Sequence, residues 1–336
     1  MDYTDDVKKD ILKQIHKIKE LKFLSEISLQ ANEDTSNIEK QIIRDITKNT
    51  IDALINSTIF LTSESQSILQ NAISLRYILE ILIVTTLLKN EEDYKFIMYL
   101  GFYQSQILRQ QALINELRVE SKKLDKWHEK WHEEFFGYIN ENTETMPMNE
   151  MDRRQTIAFK EFSSSELNIY SDVKSLEDNT FFGLSYRIIN EIIPKYQEKI
   201  KELEKKKSDI AKALVKEPII KSLFPAIGLQ QSKVFKEISD KKGSKGPRNW
   251  LEKAKDANLE DEYKFMYSFT SNLSHFASYS MMTSNMYGVD EELVLLKRLS
   301  IYIKKIYINL IAFSKIDGNA DGLSDNFGII DLSGDY

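Results

Sequence analysis

Apolar side chains recur every three or four residues along most of this chain. The recurrence is clearest in two N-terminal segments, residues 4–31 and 37–62. This spacing places the apolar side chains on one face of an α-helix. We therefore predict two amphipathic helices. Their inward faces carry Val7, Ile11, Ile15, Ile18 and Leu21 in the first helix, and Ile38, Ile42, Ile46, Ile51 and Leu54 in the second.

A third helix is expected to end near Asn90, where a fourth and longer helix begins and continues into the charged residues 122–136. The third helix contains the most apolar run of the chain, the twelve residues 77–88, which include Glu80. A membrane-spanning helix needs about 20 apolar residues. The run is therefore predicted to be a buried core helix.

The second half of the chain is less regular. Residues 140–166 are polar, contain Pro147 and lack a period, which predicts a loop or hinge. Helical spacing returns over residues 180–216, with a kink or break expected at Pro194. Further helices are expected over residues 260–284 and 290–315. No sustained alternation typical of strands occurs, so the predicted fold class is all-α, a multi-helix bundle with a charged helical insertion.

The composition agrees with long helices, since the chain has only 11 Gly and 5 Pro in 336 residues. We expect a single all-helical domain over residues 1–316, with the charged insertion at about 120–216. The remaining residues, 317–336, are acidic and rich in glycine, and are expected to form a flexible tail.

Charge and cysteine content exclude several classes of function. The net charge of −6 gives no global attraction to nucleic acid or to anionic membranes. The chain has no cysteine, which excludes disulfides, thiolate metal ligands and a cysteine nucleophile. The charged N-terminus lacks the apolar core of a signal peptide. These features predict a cytoplasmic protein with no membrane partner.

Residues 263–282 form one predicted helix with two unlike faces. Serines and His275 recur on one face, and His275 is the group there that can exchange a proton near neutral pH. The neighbouring face is apolar. The apolar face carries Met266, Phe269, Leu273 and Phe276, and the polar face carries Ser268, Ser271, His275 and Ser278.

Arg76 and Glu80 lie four residues apart on the most apolar predicted helix. Charges at such positions are costly unless they are paired. One interpretation is an ion pair within the helix, together with a structural histidine. The other is a polar cleft between two helices, in which Arg76 holds an anion and His275 moves a proton. The catalytic candidates are Arg76, Glu80, Asn272 and His275, and no cofactor is expected.

Three motifs together resemble a bacterial family of uncharacterised helical proteins, catalogued as a domain of unknown function. They are Arg-Tyr-Ile-Leu-Glu at 76–80, Trp-Leu-Glu-Lys-Ala at 250–254, and a Tyr…Tyr…Ser…Ser-His segment at 263–275. The resemblance covers roughly residues 40–110 and 245–300.

The late segment also resembles, more remotely, the HEPN superfamily of helical nucleotide-binding and RNase domains, many of which belong to toxin–antitoxin and phage-defence systems. Those RNases usually carry an arginine, a polar residue and a histidine on one helix. In this chain no arginine precedes His275 within its helix, and Asn272 lies three residues before it. The resemblance implies a metal-independent RNase in which Arg76, from another helix, replaces the missing arginine.

A basic loop precedes the helix that begins near Trp250. It carries Lys241, Lys242, Lys245 and Arg248. Four positive charges in a glycine-containing loop can hold a phosphate backbone. The alternative is an ordinary solvated loop. If RNA is the partner, this loop is the candidate nucleic-acid-binding surface.

The segment from His128 to His132 matches His-Glu-x-x-His, in which two histidines on one helix face bind zinc and the glutamate activates water. Glu150 and Asp152 are the candidates for a third ligand. The segment is also a near repeat, Lys-Trp-His-Glu, which generates the motif through an aromatic stripe on a solvated helix. We predict no metal here. The stripe comprises Trp127, Trp131 and Phe135.

Residues 317–325 fit the first nine positions of an EF-hand calcium loop, with oxygen ligands at positions 1, 3, 5 and 9 and glycine at 6. Position 12, which should be a bidentate glutamate, is Gly328. A flexible acidic tail is the favoured interpretation.

The sequence therefore predicts a cytoplasmic bacterial conflict or phage-defence protein, a metal-independent RNase that uses His275 and Arg76. RNA is the expected partner, with a protein partner or a second copy as further options. The first alternative is a non-enzymatic helical interaction module. The second is a zinc hydrolase built on the motif at residues 128–132.

Overall fold

The structure is a computed structural model that describes residues 3–30, 37–61, 68–141, 148–165, 181–244, 246–275 and 289–314. These residues are 89% helical and contain no strand, which confirms the all-α prediction. The helices are α1 (Tyr3–Gln30), α2 (Ile38–Leu61), α3 (Ile68–Asn90), α4 (Tyr94–Glu141), α5 (Met148–Ser165), α6 (Phe181–Arg187), α7 (Ile193–Leu214), α8 (Pro218–Leu223), α9 (Val234–Glu237), α10 (Trp250–Asp256), α11 (Glu260–His275) and α12 (Val289–Ser314).

The chain divides into two compact units. The first unit combines Met1–Leu100 with Ala213–Tyr336, and the second is Gly101–Lys212. The first unit is therefore discontinuous in sequence.

Helix α3 is the centre of the first unit. It contacts α2, α10, α11 and α12. Its middle and last turns carry apolar side chains on all sides, and such a helix is stable only when neighbours cover it. Ile78, Leu79 and Ile83 are fully buried. Near the C-terminal ends of α3 and α12, the Asn309 side-chain amide donates a hydrogen bond to the Thr86 hydroxyl at 3.0 Å.

Helices α1 and α2 bury the faces that their sequence periods predict. Helix α1 contacts α2 and α12, and α2 contacts α3. Each burial removes apolar surface from water, which is the main favourable contribution to folding. Val7 is half-buried. The buried members of the two predicted faces are Ile11, Ile15, Ile18, Leu21, Ile38, Ile42, Ile46, Ile51 and Leu54.

One described helical stretch, Asn71–Asn90, is long and apolar enough to cross a membrane by length and composition. Half of it is buried inside the protein. The core helix of a soluble protein has the same properties, so this stretch is weak evidence for a membrane span.

The second unit has its own apolar core between α4 and the α6–α7 segment. A polar chain crosses this interface: the Ser121 and Ser185 hydroxyls are 2.8 Å apart, and Ser185 donates to Asp125 at 2.6 Å. These bonds satisfy hydroxyls that would otherwise be buried without partners. The buried core residues are Ile114, Leu117, Leu124, Leu184, Ile188 and Ile193.

The expected kink at Pro194 takes the form of one π-helical turn. It spans Ile188–Ile192, and the Ile193 N–H donates to the Ile188 carbonyl five residues earlier. Proline has no N–H, and its ring clashes with the carbonyl four residues earlier in a regular α-helix. The wider turn absorbs this misfit, so the chain passes from α6 into α7 without leaving helical conformation.

The prediction of a loop over residues 140–166 is wrong for most of that range. Helix α4 continues to Glu141, and α5 occupies Met148–Ser165. Glu150 pairs with Arg154 at 3.2 Å and Arg153 at 3.5 Å, four and three residues later. Pairs at these spacings support a helix in a segment that is polar on average.

Candidate functional site

Arg76 projects from α3 toward α11 and interacts with four side chains, one of which is Tyr263. Its Nε lies 3.4 Å from Glu80 Oε1 on the same helix. Its Nη1 donates to Thr270 Oγ1 on α11 at 3.4 Å. The guanidinium also lies over the Tyr267 ring, 4.9 Å from its centre. We call Arg76, Glu80, Tyr267 and Thr270 the Arg76 cluster.

Thr270 can accept from Arg76 because its own proton is used elsewhere. The Thr270 hydroxyl donates to the Met266 carbonyl at 2.8 Å, one turn earlier in α11. This bond fixes the side chain with a lone pair directed at α3. Thr270 is only 3% exposed, so the contact with Arg76 also satisfies a buried polar group.

The Arg76 cluster is poorly solvated, and its pKa values reflect this. Burial raises the pKa of Glu80, an effect that Arg76 and Lys253 only partly offset. Burial lowers the pKa of Lys253 on α10. Burial also raises the pKa of Tyr263, which lies one turn before Tyr267. Arg76 itself remains about one-third exposed along its side chain, so its positive charge still faces solvent.

The inward face of α11 differs from the predicted one. Tyr263, Met266 and Thr270 are buried, at spacings of three and four residues. Phe269 is half-buried and Ser268 is exposed. Sequence reasoning missed Thr270, although its distance of four residues from Met266 places it on the buried face.

Helices α3 and α11 pack against each other, as predicted. The side chains of Asn272 and His275 lie outside the described part of the structure. The backbone of α11 is described to His275, five residues beyond Thr270. That separation corresponds to about 7.5 Å along a helix axis. Arg76 therefore contacts the second half of α11, and by the 100° turn per residue position 275 lies about 140° around the helix from position 270.

Arg248, from the predicted basic loop, lies inside the protein instead of on its surface. Its side chain is 0% exposed. Its Nε donates to Asp240 at 2.9 and 3.1 Å, its Nη1 to Glu91 at 2.7 Å and to Asp256 at 2.8 Å, and its Nη2 to Glu91 at 3.1 Å. It also lies over the Tyr94 ring, 5.3 Å from the centre. We call Arg248 with its three carboxylates the Arg248 cluster.

The lysines of the same loop are also engaged. Lys242 pairs with Glu91 at 2.6 Å and with Asp93 at 3.6 Å, and Lys241 pairs with Glu237 at 2.9 Å. Lys245 lies outside the described residues. The described cations of this loop are thus matched by carboxylates, which leaves no excess positive charge there for a phosphate backbone.

Charge in the Arg248 cluster is well compensated. Burial tends to raise the pKa of Glu91, but hydrogen bonds from Arg248 and Lys242 outweigh it and hold that pKa below its ordinary value. Burial tends to lower the pKa of Arg248, whereas its bonds to Glu91 and Asp256 raise it. Both groups therefore stay ionised at neutral pH.

The His-Glu-x-x-His segment lies on α4 in the second unit. The His128 and His132 rings are 6.0 Å apart, and His128 stacks on Trp131 with ring centres 6.2 Å apart. Trp127 and Trp131 pack partly buried against the core of the second unit. Among the described residues, no group of three His, Cys, Asp or Glu side chains is arranged to hold a metal ion. The calcium-loop pattern at residues 317–325 lies outside the described part of the chain.

Comparison with protein-family models, with curated proteins and with solved structures gives no match to this chain. The family resemblances noted above therefore rest on the motifs alone.

Proposed function

We propose that this protein is a cytoplasmic bacterial defence protein that binds an RNA phosphate at the Arg76 cluster and cleaves the RNA without a metal ion. One observation carries the proposal: a partly exposed arginine in a poorly solvated interface contacts α11 five residues before His275. A low local dielectric strengthens the attraction between the guanidinium and a phosphate.

The chemistry needs one acid–base group and one cation. His275 would accept the proton of a ribose 2′-hydroxyl, whose oxygen attacks the adjacent phosphorus. The bond from phosphorus to the 5′ oxygen breaks, and the leaving oxygen takes a proton. The products are a 2′,3′-cyclic phosphate and a 5′-hydroxyl. Arg76 would stabilise the negative charge on the phosphate in the transition state, and Glu80 would position Arg76.

The test uses matched variants that differ only in location. Arg187 also pairs with a glutamate four residues later, Glu191, and His16 likewise pairs with Glu20. Arg187→Ala and His16→Ala are therefore controls for Arg76→Ala and His275→Ala. Purified proteins are incubated with labelled RNA in excess EDTA, and the cleaved ends are identified by mass spectrometry.

We expect cleavage by the wild type and both controls, and a loss of at least about a hundredfold in Arg76→Ala and His275→Ala, since general acid–base catalysis contributes at least that much. All variants must keep the wild-type circular dichroism spectrum. Absence of cleavage by the wild type, or full activity in His275→Ala, would reject the RNase proposal.

A non-enzymatic interaction module is the second candidate. The observation that favours it is that Arg76 already has four partners, while its neighbours Ile73 and Tyr77 on α3 are 52% and 46% exposed. Exposed apolar side chains beside a charged pair are typical of protein-binding surfaces. In this case the wild type would not cleave RNA, and Tyr77→Ala would weaken binding to a protein partner or to a second copy.

A further inference from the structure

Helix α12 carries a line of apolar side chains on its outward face. Val294, Ile301 and Ile308 are 45%, 50% and 49% exposed, whereas Leu299 and Ile303 on the opposite face are fully buried. The three exposed residues are seven positions apart, so they remain aligned along the helix. We call Val294, Ile301 and Ile308 the outward stripe.

Positive charge borders the outward stripe. Lys297 and Lys305 are exposed and lie about 40° to either side of Ile301 around the helix axis, by the 100° turn per residue. Neither forms a salt bridge with another described residue. Lys304 is farther round the helix and pairs with Asp10 of α1 at 3.3 Å. An occupant of this face should therefore combine apolar side chains with negative charge.

The residues that follow α12 in the sequence have that composition. Residues 315–336 contain five aspartates and one lysine, and their apolar side chains include Leu323, Phe327 and Ile330. This segment is also within reach. Ile308 lies about 9 Å, and Val294 about 30 Å, before the end of α12, whereas 22 residues can extend to roughly 70 Å. Covalent attachment gives the segment a high effective concentration at the stripe.

We propose that residues 315–336 dock along the outward stripe of α12 in the same chain, with their apolar side chains on the stripe and their aspartates beside Lys297 and Lys305. A second copy is a poorer occupant, because pairing two outward stripes would bring like charges together. This inference is independent of the proposed RNase activity.

The absence of cysteine from the natural chain allows a direct test. The full-length double variant Ile308→Cys with Phe327→Cys is oxidised mildly at low protein concentration. The control is Lys40→Cys with Phe327→Cys, because Lys40 is exposed on α2 away from the stripe. We expect an intramolecular disulfide to form at least about tenfold faster in the Ile308 pair.

A third substitution tests the cause. Ile301→Glu, added to the Ile308 pair, places a negative charge within the stripe and should slow disulfide formation about tenfold, as should raising the salt concentration to 1 M. Ile301 is half-exposed, so this variant should keep its helical spectrum. The 19-residue connection to Phe327 by itself favours the Ile308 pair. Equal rates for the Ile308 and Lys40 pairs, or a rate for the Ile308 pair that Ile301→Glu leaves unchanged, would therefore overturn the proposal. Disulfide-linked dimers in place of the intramolecular product would assign the stripe to a second copy.

Discussion

Two arginines of the first unit each lie over a tyrosine ring, Arg76 over Tyr267 and Arg248 over Tyr94, yet their surroundings differ. Arg248 is fully buried and bonds three carboxylates. Arg76 is partly exposed and has one carboxylate, Glu80. Both clusters have electrostatic contact with the same lysine, Lys253 on α10.

The contrast shows that the number of fixed carboxylates, and not the arginine itself, separates a structural cation from an available one. Each N–H group of Arg248 that faces a carboxylate already donates a hydrogen bond to it. A ligand could bind Arg248 only if those bonds were broken. Arg76 holds Thr270 at 3.4 Å, a long hydrogen bond that a phosphate could replace at little cost. The described cations of the glycine-containing loop are paired with carboxylates, whereas Arg76 on α3 remains partly exposed.

The largest expected effect is on folding, from removal of Arg248. Arg248→Met should lower the free energy of unfolding by about 3–5 kcal/mol, because three carboxylates would lose their common partner. Guanidinium chloride unfolding, followed by circular dichroism, measures the change. Lys241→Ala removes an exposed ion pair from the same loop and should change the free energy of unfolding by less than about 1 kcal/mol. Equal effects of the two substitutions would contradict the structural role of Arg248.

Removal of Arg76 should have a smaller effect on stability. Arg76→Ala breaks a partly exposed pair, and we expect a loss of at most about 1 kcal/mol in the same unfolding experiment. The variant would then fold normally while losing the proposed phosphate contact. A loss as large as that of Arg248→Met would indicate that both arginines are structural.

The two clusters should also respond to pH with opposite signs. The pKa of Glu91 is lowered on folding, so its contribution to stability is present above the ordinary value of 4.5 and is lost as the pH falls through the folded value. The pKa of Glu80 is raised, so its contribution is present below 4.5 and is lost as the pH rises through the folded value.

Urea unfolding between pH 3 and pH 7 separates these two contributions. Relative to the wild type, Glu91→Gln should be most destabilising at pH 7 and nearly neutral at pH 3. The free energy of unfolding of Glu80→Gln, relative to that of the wild type, should be higher at pH 7 than at pH 3. Parallel curves for both variants would show that the two clusters do not differ in this way.

The smallest expected effect concerns the histidines of α4. Protein purified without a histidine tag should contain no stoichiometric zinc, and His128→Ala should leave its metal content unchanged, because no described side chain completes a three-ligand site with the two histidines. About one zinc per chain in the wild type, lost in His128→Ala, would make a metal centre in the second unit the main functional candidate.

Helices α1 and α2 were predictable because each buries a regular apolar face, as Ile42 and Ile46 illustrate for α2. Helix α5 was missed although Met148, Met151, Ala158 and Phe162 follow a helical spacing, because the segment is polar on average and follows Pro147. The basic loop was misjudged for a different reason. The partners of Arg248 include Glu91, 157 residues earlier. A local charge pattern carries no information on such a pairing.

The role of Thr270 was only partly predictable from the sequence. Its position four residues after Met266 placed it on the buried face, but a threonine is not an obvious member of an apolar stripe. The contact with Arg76 joins residues 194 positions apart, and only the packing of α3 against α11 brings them together.

The discontinuity of the first unit determines the order in which the chain can fold during synthesis. Thr86 and its partner Asn309 are 223 residues apart. At about 5–20 residues per second, a ribosome needs roughly 10–45 s to make that stretch. Throughout this interval α3 lacks α12, whereas the whole of the second unit is synthesised within it. The emerging chain therefore carries an uncovered apolar helix for many seconds, and its yield in the cell should depend on chaperone capacity.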